Sequence, residues 1–206
     1  MKVLLIGPQG SGKGTIGELL SKYTKLPIVS AGQLCREVEP SDPYYEEVNT
    51  YLDEGELVPQ DIMAELLRKE LSKPKYENGY FMDGWGRSLI DFELFDPGFD
   101  VILFLNIDRE TSLDRLTSRR TCKKCGDVYN VKYNPPKEEG ICDECGGELY
   151  QREDDTPEAI NRRLDIFYDN TVKALEVYKK RGLLVEVNAE ADISTVFERA
   201  KKALNI

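Results

Sequence analysis

The sequence predicts an α/β fold: a five-stranded parallel sheet core with helices on both faces, interrupted by one polar helical stretch and one cysteine-bearing excursion. Three observations predict it. Short β-rich runs alternate with helical stretches along the chain. Residues 101–105, Val-Ile-Leu-Phe-Leu, are apolar on both faces, as a central parallel strand should be. A glycine-rich turn joins the first β-run to the first helical run.

Taken in order, the expected strands are residues 3–6, 27–29, 80–82, 101–106 and 184–187, with helical segments between them, such as 62–71 and 110–119. The best-marked helix starts at Thr156, which can cap, with Pro157 at the first helical position. Ile160, Leu164, Phe167, Leu175 and Tyr178 follow at helical spacing, Lys179, Lys180 and Arg181 fill the last turn, and Gly182 ends it. Two stretches leave this alternation. Residues 30–59 read as helical and polar, with no strand, and residues 121–151 hold paired cysteines, glycines and Pro135-Pro136.

Composition narrows the function classes. The 206 residues carry a net charge of −10, which argues against wrapping a polyanion, so no nucleic-acid partner is expected. With no histidine, every triad or metal site that needs imidazole is excluded. No apolar run reaches the roughly 20 residues needed to span a bilayer. The apolar start, residues 3–6, gives way to glycine at once and reads as a strand rather than a signal peptide. A soluble, cytoplasmic, monomeric protein with no membrane partner is expected.

After the first strand comes Gly7-Pro8-Gln9-Gly10-Ser11-Gly12-Lys13-Gly14-Thr15, then a helical run. Glycines let successive backbone N–H groups turn toward a phosphate, the helix adds its positive end, and Lys13 reaches the outer phosphates. A glycine-rich turn of no special role would not need strand, loop, lysine and helix in this order. The hydroxyl, deferred to Thr15 behind Gly14, departs from the general form of the motif.

Cys122-x-x-Cys125 and Cys142-x-x-Cys145 stand 16 residues apart. Two such pairs can each grip one edge of a tetrahedron, with Gly126 and Gly146 behind them allowing the tight turn. The spacing points to a structural four-thiolate zinc site with no open position for water. An iron–sulfur cluster is the other metal reading. Disulfides do not suit a cytosolic chain, and neither pair sits at a strand-to-helix turn as a redox pair would. A nucleic-acid-binding ribbon is disfavoured, since residues 122–150 hold four lysines against six acids. Cys35 stands alone and reads as a packed thiol.

The Gly-Lys-Gly-Thr form of the loop resembles the adenylate kinase family and its nucleoside monophosphate kinase relatives. Further along, Gly55-Glu56-Leu57-Val58-Pro59 and Met82-Asp83-Gly84-Trp85-Gly86-Arg87 are similar to family motifs. So are Arg115 through Arg120, Asn134-Pro135-Pro136, Gly146 through Arg152 with Asp154-Asp155, and Arg162-Arg163-Leu164. The resemblance implies a P-loop core (1–29, 60–120 and 158–206), an acceptor-binding segment (30–59) and a zinc-ribbon-like lid (121–157). It implies transfer of the γ-phosphoryl of Mg²⁺·ATP to a nucleoside monophosphate, AMP by default.

Residue by residue, it implies that Lys13, Arg119, Arg152 and Arg163 meet the donor and the transferring phosphate, with Arg152 and Arg163 also reaching the acceptor. Gly10, Ser11, Gly12, Gly14 and Thr15 would cradle ATP. Val128, Tyr129 and the backbone near Ala191 would lie along its nucleoside. Arg36 and Arg87 would hold the acceptor phosphate, Ala31, Glu56, Leu57, Val58, Gly84 and Asp91 would line the acceptor site, and Asp83 would orient Mg²⁺ through water. The chemistry agrees: a monophosphate already presents an anionic oxygen, so no base is needed, and arginines fork onto phosphates. Arg120 and Arg162 are expected to be ordinary surface residues.

The departures from the family pattern cluster on the acceptor side. Ser30-Ala31-Gly32-Gln33 replaces Ser-Thr-Gly-Asp, Gly86 replaces proline, Ser88 replaces threonine and Asp91 replaces a glutamine. A carboxylate only accepts, so Asp91 would suit a base edge offering donors, such as guanine or cytosine. That leaves open a kinase for another monophosphate, and an ATP-sensing regulator without turnover.

Overall fold

A computed structural model describes residues 1–54 and 56–206; Gly55, from the acceptor-side motif, lies outside the described residues. Five parallel strands form the main sheet: β1 (Lys2–Ile6), β2 (Ile28–Ser30), β3 (Tyr80–Asp83), β4 (Val101–Asn106) and, late in the chain, β8 (Leu184–Asn188). Their order is β2-β3-β1-β4-β8. The period of two in a strand divides the core cleanly. From β1, Leu4 and Ile6 face one apolar layer and Val3 and Leu5 the other; β4 divides the same way, with Ile102 and Phe104 opposite Leu103 and Leu105. This is why these strands read as unbroken apolar runs.

One face carries α2 (Ala31–Arg36), α3 (Tyr45–Asp53), α4 (Gln60–Leu71), the 3₁₀ turn Pro74–Tyr76 and α5 (Leu89–Leu94). The other is covered by α1 (Lys13–Thr24) and the C-terminal α9 (Ile193–Leu204). Helix α6 (Arg109–Thr117) leads to a second, antiparallel sheet made of β5 (Arg119–Cys122), β6 (Val128–Asn130) and β7 (Leu149–Tyr150), in the order β6-β5-β7. Arg119, expected to end a helix, instead opens β5, because Ser118 closes α6 and the chain then pairs with β6.

The helix expected from Thr156 to Lys180 is α7 (Pro157–Ile166) and α8 (Val172–Lys180), joined by a π turn over Phe167–Thr171. Thr156 Oγ1 accepts from the Ala159 N–H at 3.3 Å, and Gly182 ends the run at φ 71°. The π turn buries both Phe167 and Thr171, a change of phase invisible in the 3.6-residue pattern. No helix among the described residues is long and apolar enough to cross a membrane.

Candidate active site

The candidate residues gather where strands of the main sheet end. β1 runs into the glycine loop, β2 into α2 and β3 into Asp83, so three carboxyl ends open on one edge, where open α/β sheets bind ligands. A cavity of about 380 Å³ lined by Lys2, Arg68, Tyr80 and Phe95 sits at the opposite ends of these strands, away from this chemistry.

Gly10 and Gly12 take left-handed φ values of 85° and 84°. A Cβ on Gly10 would stand 3.1 Å from the Ser112 carbonyl oxygen, so the loop needs glycine for both conformation and space. Gly12 precedes Lys13, the first residue of α1, and the helix's free N–H groups therefore face the loop. Lys13 Nζ curls back onto the carbonyls of Gly7 and Pro8, at 2.7 and 3.1 Å. Burial lowers its ammonium to about 8; neighbouring Asp83 opposes this, while Arg87 and Arg119 add to it.

Arg119 and Arg163 converge on Asp155, which is 1% exposed. Arg119 grips its carboxylate with Nε at 2.8 Å and Nη2 at 2.6 Å, and Arg163 Nη2 lies 3.2 Å away. Arg163 also holds Asp154, while Arg152 donates to Thr121 Oγ1 at 3.0 Å. Desolvation lowers Arg152 and the adjacent Arg119 cation lowers it further, so these guanidiniums crowd one small volume. Four buried side-chain atoms lack a hydrogen-bond partner among the described residues: Gln9 Oε1, Ser11 Oγ, Asp83 Oδ1 and Arg163 Nε. Each unmet group costs about 1–3 kcal/mol. Two belong to the glycine loop, and the other two to residues expected to serve the transfer.

At the end of β5 and in the loops beside the second sheet, the four sulfurs of Cys122, Cys125, Cys142 and Cys145 all lie within 4.8 Å of one another. The Cys122–Cys145 and Cys125–Cys142 separations are 3.5 and 3.6 Å, and all are free thiols. A tetrahedron with metal–sulfur bonds of about 2.3 Å has edges of about 3.8 Å, so the set fits such an ion. Gly126 and Gly146 turn left-handed behind the two pairs, as expected.

Sequence comparison agrees with this geometry. The adenylate kinase family model matches residues 5–183. The chain belongs to the adenylate kinase family. An adenylate kinase of Desulforudis audaxviator is 41% identical over 95% of each chain. That of Caldicellulosiruptor bescii is 38% identical over the whole of both, and that of Methanocella arvoryzae 38% identical over 99% of this chain and 98% of its own.

Within this adenylate kinase fold, several expectations need correction. Asp91 does not present its carboxylate to a base. It is 4% exposed and accepts from the N–H groups of Arg87 (2.7 Å) and Ser88 (3.1 Å) and from the Ser88 hydroxyl (2.9 Å), capping α5. Gly86, where the family has proline, sits at φ 68°, which proline cannot adopt, and a Cβ there would meet Leu4 Cδ2 at 2.7 Å. Tyr129 does not lie along a nucleoside with its side chain, because its ring is buried in the cysteine cluster, whereas Val128 beside it is exposed. In the backbone near Ala191, expected along the donor nucleoside, the Ala191 carbonyl accepts from Arg115 at 3.2 Å.

On the acceptor side, Ala31 is buried against Gly84, and Arg36, Glu56, Leu57 and Arg87 are exposed. Val58 packs partly on the core. Arg162 is exposed, as expected of a surface residue, whereas Arg120 is half-buried and spends its guanidinium on the Arg119 carbonyl at 2.7 Å. Cys35 is packed against Met63 Sδ at 3.6 Å.

Two residues of the quoted motifs carried no assigned role. Arg115 joins three carbonyls, Gly10, Ala189 and Ala191, and so ties the glycine loop to the chain after β8. Its sequence signal is its place at the head of the arginine-rich run 115–120. Asp155 carried no signal of its own beyond the Asp154-Asp155 motif.

Proposed function

We propose that the chain is an ATP:AMP phosphotransferase, reversibly moving the γ-phosphoryl of Mg²⁺·ATP to AMP to give two ADP. The observation that carries it is the chain of cations from Lys13 of the glycine loop through its neighbours Arg87 and Arg119 to Arg152 beside Arg119 and Arg163 on the shared Asp155, in a chain without histidine. Such a site neutralises and positions phosphates and has no need of a base. An AMP phosphate oxygen attacks the γ-phosphorus, the bond to the β–γ bridging oxygen breaks, and ADP leaves with that oxygen.

In this reading Gly10 through Thr15 hold the donor phosphates and Lys13 swings from its loop carbonyls to them. Arg119 and Arg163 trade part of their hold on Asp155 for phosphate oxygens, while Arg36 and Arg87 take the acceptor phosphate. Val128 and the backbone near Ala191 line the donor nucleoside, and Ala31, Gly84 and residues 56–58 line the acceptor. Asp83, with its unpartnered oxygen, would orient Mg²⁺ through water, and that ion would offset charge on the transferring group. The use of Asp91 as a helix cap favours AMP over a base chosen by a carboxylate.

Residues 1–29, 60–120 and 158–206 act as the core, 30–59 as the acceptor segment and 121–157 as a lid that closes to exclude water. The four cysteines hold a structural Zn²⁺. The enzyme works as a cytoplasmic monomer on nucleotides, with neither nucleic acid nor membrane as partner.

ADP formation with AMP, GMP, CMP and UMP supplied separately tests the activity. AMP is the expected acceptor; no transfer to any of them overturns the kinase reading, and a preference for another overturns AMP. One zinc per chain is expected on metal analysis, and iron in its place overturns the metal.

A further inference from the structure

We propose that Tyr129 belongs to the metal centre, its phenolic O–H donating a hydrogen bond to the Cys142 thiolate and fixing the second cysteine pair on the first hairpin. The inference rests on the reading of the four cysteines as a metal site. Tyr129 lies in β6 and is 6% exposed, in a cluster with Cys122, Cys142, Cys145 and Leu149. Its oxygen is 3.5 Å from Cys142 Sγ and accepts the Asp143 N–H at 2.9 Å.

These two contacts fix the direction of the bond. A backbone N–H can only donate, so the phenol oxygen is the acceptor toward Asp143. Its one proton is then directed elsewhere, and Cys142 Sγ is the acceptor in hydrogen-bond contact, with the Asp127 carboxylate also beside the phenol. A sulfur bound to a metal is a thiolate and has no proton to give, so it accepts a charge-assisted bond. The first pair has a counterpart in the Lys124 N–H, 3.4 Å from Cys122 Sγ. Backbone N–H groups reach all four sulfurs, and among the described residues the Tyr129 phenol is the one side-chain O–H that joins them.

The placement also connects the metal to the chemistry. Tyr129 pairs across the ladder with Arg120, and the next rung joins Asn130 to Arg119. The strand that anchors Cys142 is therefore the strand that aligns the phosphate-facing arginine. Outer partners of this kind orient the ligands they touch, and their removal costs about 10–100-fold in metal affinity.

The test uses the full chain loaded with Co²⁺, comparing the native protein with Y129F and with Y150F, an exposed tyrosine of the same sheet. A hydrogen bond stabilises the sulfur lone pair, so Y129F should move the thiolate-to-cobalt charge-transfer band to lower energy. It should also release metal to a chelator about tenfold faster, with Y150F unchanged. Replacing Tyr129 with a fluorinated tyrosine, a stronger donor, should move the band the other way, which loss of packing cannot do. A band that stays put in both variants overturns the proposal, even if release is faster. Absence of any thiolate band in the native protein overturns the metal reading itself.

Discussion

The main sheet and the lid are held together by different physics. The core buries two continuous apolar layers, one on each face of five strands. The lid's buried cluster holds only Cys122, Tyr129, Cys142 and Leu149, with Cys145 packed beside it. Burial at roughly 25 cal/mol per Å² stabilises the first many times over and the second hardly at all. A polar insert of this size orders itself only with a staple, here four converging sulfurs. The difference teaches that one chain can combine a core that stays folded by burial with a small sheet whose order, on the zinc reading, depends on its ion.

The sharpest separation of chemistry from stability should come from Lys13→Met. Activity is expected to fall by about a thousandfold, while the melting temperature does not drop. Folding disfavours the proton on Lys13, as its lowered value of about 8 shows, so removing the charge relieves a cost. ADP formation and a thermal melt on the same preparation check both halves, and a large loss of stability would mean that the loop belongs structurally to the core.

Stripping the metal with a chelator under reducing conditions should lower activity about a hundredfold and leave the core transition in place. Calorimetry reads this directly: a low-temperature lid transition should vanish while the main one persists. If both regions melt together, with or without metal, the comparison above is wrong.

Asp155→Asn should lower turnover about tenfold to a hundredfold. The arginines lose the buried charge that aims them, and a buried pair deprived of one partner is costly. The loss should appear in kcat more than in stability of the core; an unchanged kcat would leave Asp155 a purely structural residue.

The smallest effect belongs to the core alone. Burial would raise the Glu70 carboxyl, but hydrogen bonds from Lys73, Lys75 and Tyr76 outweigh it and hold it down at about 2. The stabilisation is therefore fully present above pH 4.5 and fades as pH falls toward 2. Glu70→Gln should cost about 1–3 kcal/mol at pH 7, with the gap to the native protein closing at pH 3 and activity per folded molecule unchanged. Denaturant titrations at the two pH values decide it.

Much of this protein was settled by the chain itself. The five strands, the glycine loop and the paired cysteines are local patterns: alternation of apolar runs, glycines at left-handed positions, and thiols two residues apart. Such patterns act over a few residues, so they survive translation into structure almost unchanged. What tertiary structure decided were partnerships between distant residues. Asp155 became the hub of Arg119 and Arg163 only when β5 and the start of α7 came together. Asp91 changed from a candidate base reader to a helix cap because the turn at Gly86 brought two N–H groups onto it. Tyr129 turned from the nucleoside to the thiols because the sulfur cluster offered the lid's one apolar interior. A side chain's type and spacing state what it can bond; which bond it makes depends on what folding brings within about 3 Å.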